Sequence, residues 1–177
     1  MIYFVRHGST EWNKLYKCQG KADISLSQEG IDQAKITKIA LKDVKLDACF
    51  CSPLLRARQT FEVITGRLPT ENEIDERLSE RDFGEFEGKT RAEFDFEGFW
   101  NAFDKKTYEK AESLDKFEKR VKSFYDFLKE NYRDKTVLVV SHGGFGFLFN
   151  ALFFGIPESG IYSHAELKNG SFKIFEF

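Results

Sequence analysis

Residues 2–5, Ile-Tyr-Phe-Val, form a short continuous apolar run that stops at Arg6. Such a run predicts a strand buried on both faces. The same pattern returns at 46–51 and at 136–140. Between these runs the period changes. Residues 27 to about 44 read as a helix, with Ile31, Ala34, Ile39 and Leu41 among its apolar positions. Ser52-Pro53 reads as an N-cap followed by proline in the first turn, opening a helix to about residue 65. Leu114, Phe117, Val121, Phe124 and Leu128 recur at i, i+3, i+4 spacing, which predicts an amphipathic helix from 113 to about 132. Residues 143–154 read as a helix despite their glycines. A short strand is expected at 71–75. Two more, about 161–167 and 171–175, flank Asn169-Gly170, the strongest short hairpin signal in the chain.

Strands alternating with helices predict the α/β class, here a three-layer αβα sandwich around a mainly parallel central sheet. A length of 177 residues suits one domain, spanning 1–177. No internal repeat or low-complexity tract interrupts it. Residues 83–112 are the least regular part and rich in Phe, Glu, Asp and Gly; they read either as a lid-like insertion over a site or as a variable connection.

Composition narrows the function classes. A formal net charge of −2 gives no general pull toward nucleic acid or an anionic membrane, so any anion site must be local. The 20 Phe predict an aromatic core. Cys18, Cys49 and Cys51 are odd in number and lack a disulfide-framework spacing, so buried free thiols are expected; on a strand, Cys49 and Cys51 would share one face. No basic segment leads into an apolar one at the N-terminus, and no apolar run approaches the roughly 20 residues of a membrane helix. A cytoplasmic protein without membrane or nucleic-acid partners is the expectation. Nothing in the pattern specifies an oligomer.

Chemistry gathers at three strand ends. In an open parallel sheet, ligands bind beyond the carboxyl ends of the strands. The first strand ends in Arg6-His7-Gly8, the second in Ser52-Pro53 with Arg56 just beyond, and the later one in Ser141-His142-Gly143-Gly144. Two of three histidines thus reach equivalent places beside two arginines. Guanidinium groups match phosphoryl oxygens, and glycines at a helix N-terminus admit an anion. A metal is not expected: there is no His-Glu-x-x-His helix, and the permanent charge of Arg6 and Arg56 opposes a divalent cation. Arg58 lies roughly opposite Arg56 on the predicted helix, so only one of them should enter the site. His164 has no motif around it and reads as structural or surface.

These residues resemble the histidine phosphatase superfamily, the phosphoglycerate-mutase-like proteins. Arg6-His7-Gly8 with Thr10 and Asn13 is similar to its signature. Gln19-Gly20 with Asp23, Leu26-Ser27-x-x-Gly30 with Gln33-Ala34, Ser52-Pro53-Leu54-Leu55-Arg56-Ala57-x-Gln59-Thr60, Leu78-x-Glu80 with Phe83-Gly84 and Glu87-Gly88, and Ser141-His142-Gly143-Gly144 follow in the family's order. Ser9 departs from the Glu or Gln often found there.

The resemblance implies roles. His7 would be the nucleophile. Arg6, Arg56 and His142 would form the phosphate pocket, and Glu80 would serve as general acid and base. Asn13, Thr10 and Gly143 would be further substrate contacts. The substrate would be a small phosphate ester, with no cofactor. Relatives acting as mutases usually carry extra insertions and a C-terminal tail; this chain ends at Phe177, directly after its last predicted strand, and so resembles the compact phosphatase branch. Phosphoglycerate-mutase-type transfer and a non-catalytic phosphate-binding scaffold remain the alternatives, since fold alone does not imply activity.

Overall fold

The computed structural model describes residues 1–177. Strands β1 (Ile2–Arg6), β2 (Ala48–Cys51), β3 (Val137–Ser141) and β4 (Phe172–Phe175) form one sheet in the order β2-β3-β1-β4. β1 and β2 each pair parallel with β3, and β4 pairs antiparallel with β1. The α/β class and the mainly parallel sheet are as expected.

Helices cover both faces. Helix α2 (Gln28–Ala40) and α3 (Leu55–Thr65) pack together on one side, while α5 (Leu114–Asn131) and α6 (Gly143–Phe154) pack on the other. The three parallel strands are continuously apolar because both faces are covered. Ile2, Phe4, Val137 and Val139 point into the larger core with Phe117, Phe124, Phe145 and Phe149. Val5, Cys51, Leu138 and Val140 point into the smaller one with Ala57, Phe61 and Ile64. On α5, Leu114, Phe117, Val121, Phe124 and Leu128 are all buried, and Ser113 caps the helix by accepting from the Lys116 amide at 3.3 Å. Each such large apolar side chain contributes about 1.5–3 kcal/mol on burial. No helix is long and apolar enough to cross a membrane.

Several expectations are corrected. Helix α2 stops at Ala40, and Ile39 is exposed; the buried face is built from the small residues Gly30, Ala34 and Thr37. Close approach explains the glycine, because a Cβ on Gly30 would run into the Ser9 backbone. Helix α3 begins at Leu55, not Ser52. Its N-terminus is capped from afar by Asp23, whose Oδ1 accepts from the Leu55 amide at 2.6 Å. Residues 71–75 form no strand: Glu71–Glu73 is a 3₁₀ turn, and Ile74 makes only a single bridge to Cys51.

The hairpin expected around Asn169-Gly170 also fails. Tyr162–Ala165 is a 3₁₀ turn, so only β4 is a strand. Gly170, at φ 69°, turns the chain so that its amide meets the Arg6 and His7 carbonyls at 3.1 and 3.0 Å, and Asn169 Nδ2 donates to the His7 carbonyl at 3.2 Å. The dipeptide pins the end of β1 instead of closing two strands.

Candidate active site

The β1–β3 register places Arg6 opposite Ser141, so the next residues, His7 and His142, emerge side by side. The His7 amide donates to the Ser141 carbonyl at 2.9 Å, and the two imidazole centroids lie 5.1 Å apart. Beyond this edge opens a cavity of about 260 Å³, whose lining includes Arg6, His7, Asn13, Arg56, Glu80 and Gly143.

His7 is buried, and its ring is oriented from both sides. Nδ1 lies 2.7 Å from the Gly8 carbonyl, while Arg56 Nε donates to Nε2 at 3.3 Å. A carbonyl accepts only from a protonated nitrogen, so Nδ1 carries the hydrogen and Nε2 carries the lone pair. Burial, then the charges of Arg56 and Arg6, hold the His7 pKa well below its ordinary value. The ring is therefore neutral, with the lone pair of Nε2 turned to the Arg56 guanidinium.

Arg56 sits wholly buried on the first turns of α3. Its guanidinium donates to the Ala22 carbonyl at 2.8 Å and the Gly20 carbonyl at 2.9 Å. Burial lowers its pKa to about 10, so it remains cationic at neutral pH. Arg58 does not line the cavity, as expected for the opposite face of the helix. Arg6 Nη1 donates to Glu166 Oε1 at 2.9 Å and to the Leu167 carbonyl at 2.5 Å, whereas its buried Nε has no protein partner.

Glu80 is buried with both carboxyl oxygens held. Oε1 accepts from the Arg81 amide at 2.8 Å and Oε2 from the Gly144 amide at 2.9 Å. Its backbone is gripped in turn by Arg120, which donates to the carbonyls of Arg77 and Ser79 at 2.7 Å and of Glu80 at 3.2 Å. The Arg81 guanidinium faces elsewhere: Nε donates to the Glu112 carbonyl at 2.9 Å, and the group stacks 3.6 Å from the Phe99 ring centre.

His142 stands behind His7 and is not part of the cavity wall. Its Nε2 lies 2.7 Å from Ser52 Oγ, and its buried Nδ1 has no partner. Burial and Arg56 also push its pKa well below the ordinary value. Gly143 begins α6, so its N–H has no acceptor within the helix. Thr10, expected as a substrate contact, lies off the cavity: it caps the short helix α1 (Glu11–Lys14), and its hydroxyl donates to Gln19 Oε1 at 2.8 Å. Asn13 does line the cavity, with Oδ1 accepting from the Thr10 amide at 3.1 Å.

The irregular segment 83–112 is an aromatic wall. Around helix α4 (Phe96–Phe99), Phe83 and Phe99 stack at 4.7 Å and Phe86 and Phe94 at 4.4 Å. It presents Phe83, Arg91, Phe96 and Trp100 to the cavity. Arg91, Trp100, Glu166 and Asn169 were not legible as site residues. Arg91 and Trp100 lie in the irregular segment, Glu166 falls in a stretch expected as a hairpin strand, and the Asn169-Gly170 signal reads equally well as a hairpin. The three cysteines are free, with Cys18 and Cys51 buried and Cys49 half-buried. Burial pushes the Cys18 thiol up to about 12 and Cys49 to about 11. His164 is exposed and outside the cavity.

Paired histidines and arginines at the carboxyl edge of a parallel sheet define an α/β protein with an arginine-lined cavity at that edge. The chain belongs to the histidine phosphatase superfamily: the model of its branch 1 matches residues 2–177. It is 34% identical over 142 residues to the uncharacterized phosphatase PhoE of Bacillus subtilis, covering 80% of this chain and 71% of that protein. Phosphoserine phosphatase 1 of Hydrogenobacter thermophilus is 32% identical over 147 residues, covering 80% and 70%. The crystal structure of phosphoglycerate mutase from Thermus thermophilus superposes with a TM-score of 0.76 at 30% identity, covering 97% of this chain and 90% of that one.

Proposed function

We propose that this protein hydrolyses a small phosphate monoester in two displacements, through a phosphohistidine on His7. One observation carries the reading. Nδ1 of His7 is tied to the Gly8 carbonyl, which leaves Nε2 unprotonated beside Arg56. In the first step Nε2 bonds to phosphorus, the ester P–O bond breaks, and the leaving alkoxide takes a proton from Glu80. In the second, water attacks the phosphohistidine, gives its proton to Glu80, and phosphate leaves. Arg6 and Arg56 balance charge on the phosphoryl oxygens. The unpartnered Arg6 Nε and the Gly143 N–H, both on residues of the cavity wall, are donors for an entering anion, while His142 stands behind them.

The phosphatase names of two relatives support hydrolysis, and the mutase name of a third keeps transfer as the rival. Brief incubation with labelled substrate should give a phosphoprotein that is labile in acid, absent from His7→Ala, and accompanied by free phosphate. An acid-stable label, or turnover by His7→Ala near the parent rate, would overturn the assignment. Rapid conversion of 3-phosphoglycerate to 2-phosphoglycerate, with a trace of 2,3-bisphosphoglycerate and little phosphate release, would establish the mutase instead.

A further inference from the structure

Glu166 is, with Glu80, one of two carboxylates in the wall of a cavity that also holds Arg6, Arg56 and Arg91. It lies in the segment between α6 and β4, just after the exposed His164 and far in sequence from His7. Arg6 Nη1 donates to its Oε1 at 2.9 Å. Arg91 grips it with both arms, Nη2 to Oε1 at 2.9 Å and Nη1 to Oε2 at 3.1 Å. Arg91 is also stacked on Phe96, 4.6 Å from the ring centre. The forked pair is the geometry in which an arginine would otherwise hold a carboxylate or phosphate of a ligand. Partial burial works to raise the Glu166 pKa, but the Arg91 hydrogen bonds and the Arg6 charge outweigh it, and the group stays ionised.

We infer that Glu166 sets the substrate class of the proposed phosphatase: by occupying Arg91 and one arm of Arg6, it favours monoesters whose alcohol portion carries no second anion. A second carboxylate or phosphate would have to displace Glu166 from Arg91 or sit beside a like charge. The backbone next to Glu166 is held as well, because the Leu167 carbonyl accepts from Arg6. Two features limit the effect to a matter of degree. The Glu166 side chain is 34% exposed, so solvent screens it. Lys17 also lines the cavity, near the Trp12 ring, and no ion pair engages it. The measurable quantity is accordingly a ratio between two substrates.

sn-Glycerol 3-phosphate and 3-phosphoglycerate serve as the pair, since a hydroxymethyl group in one replaces a carboxylate in the other. The parent enzyme should favour the glycerol ester in kcat/KM. Glu166→Gln should shift the ratio toward 3-phosphoglycerate by about fivefold, and adding Arg91→Gln should abolish the shift. A parent preference for 3-phosphoglycerate, or equal changes on both esters in Glu166→Gln, would overturn the inference; the latter would leave Glu166 as a positioning residue for Arg6. This inference rests on the phosphatase reading, so the Kd ratio for the two esters is measured as well, in the His7→Ala background. Absence of turnover with the parent enzyme would sink the phosphatase reading, while the Kd ratio would still decide the role of Glu166.

Discussion

The Gly144 amide donates to Glu80 Oε2 at 2.9 Å, joining the first turn of α6 to a carboxyl group that lies 64 residues earlier in the chain. The glycine is required by space as well as by the bond. A Cβ at Gly144 would press on Glu80 Oε1 and on the Trp100 ring at once. Gly144→Ala should therefore displace the carboxyl from its working position. The expected result is a loss of about tenfold or more in kcat on glycerol phosphate, with a smaller loss on p-nitrophenyl phosphate, whose leaving group needs little help. Equal losses on both esters would disconnect Gly144 from proton transfer.

Glu80→Gln isolates the proton itself. The amide keeps the size of the side chain, but it can neither donate the proton that an alkoxide needs nor accept one from water. A positioned acid is typically worth roughly 10²–10⁴ in rate. Turnover of glycerol phosphate should fall within that range, and formation of the phosphoenzyme from p-nitrophenyl phosphate, followed as the nitrophenolate burst, should be slowed much less. An equally slowed burst would mean that another group supplies the proton.

The legible parts of this molecule are those that local pattern determines. Continuous apolar runs announce the three parallel strands, and the spacing of Leu114 to Leu128 announces α5. The residues that end those strands announce the site. Arg6, His7, Arg56 and His142 converge because a parallel register carries equivalent chain ends to one edge. What local pattern cannot carry is a distant partner. Ser52 looks like a cap for α3, yet its hydroxyl faces His142, and Asp23 does the capping from 32 residues away. Thr10 sits among motif residues, but its hydroxyl is used up by Gln19. Glu166 has no local signature, and its role arises only when the C-terminal segment folds back against Arg6 and Arg91.

The buried histidine pair also makes a prediction about stability. In the folded chain, burial and the neighbouring arginines hold the pKa values of His7 and His142 well below the ordinary 6.5. In the unfolded chain each ring titrates near 6.5. Below that pH the unfolded state takes up protons that the folded state refuses, so stability must fall as the solution becomes more acid. Their contribution is fully present above pH 6.5 and declines below it. Between pH 7.5 and 5.5 each histidine should cost about 1.4 kcal/mol, and the pair about 2.7 kcal/mol. Urea unfolding in phosphate-free buffer measures this directly, because phosphate would bind the folded state and mask the effect. His7→Gln and His142→Gln should each show a decline about 1.4 kcal/mol smaller than the parent over the same interval, whatever the substitution does to stability at pH 7.5. A decline of the same size in parent and variants would mean that these rings take up protons in the folded state. The neutral ring on which the proposed mechanism depends would then be lost.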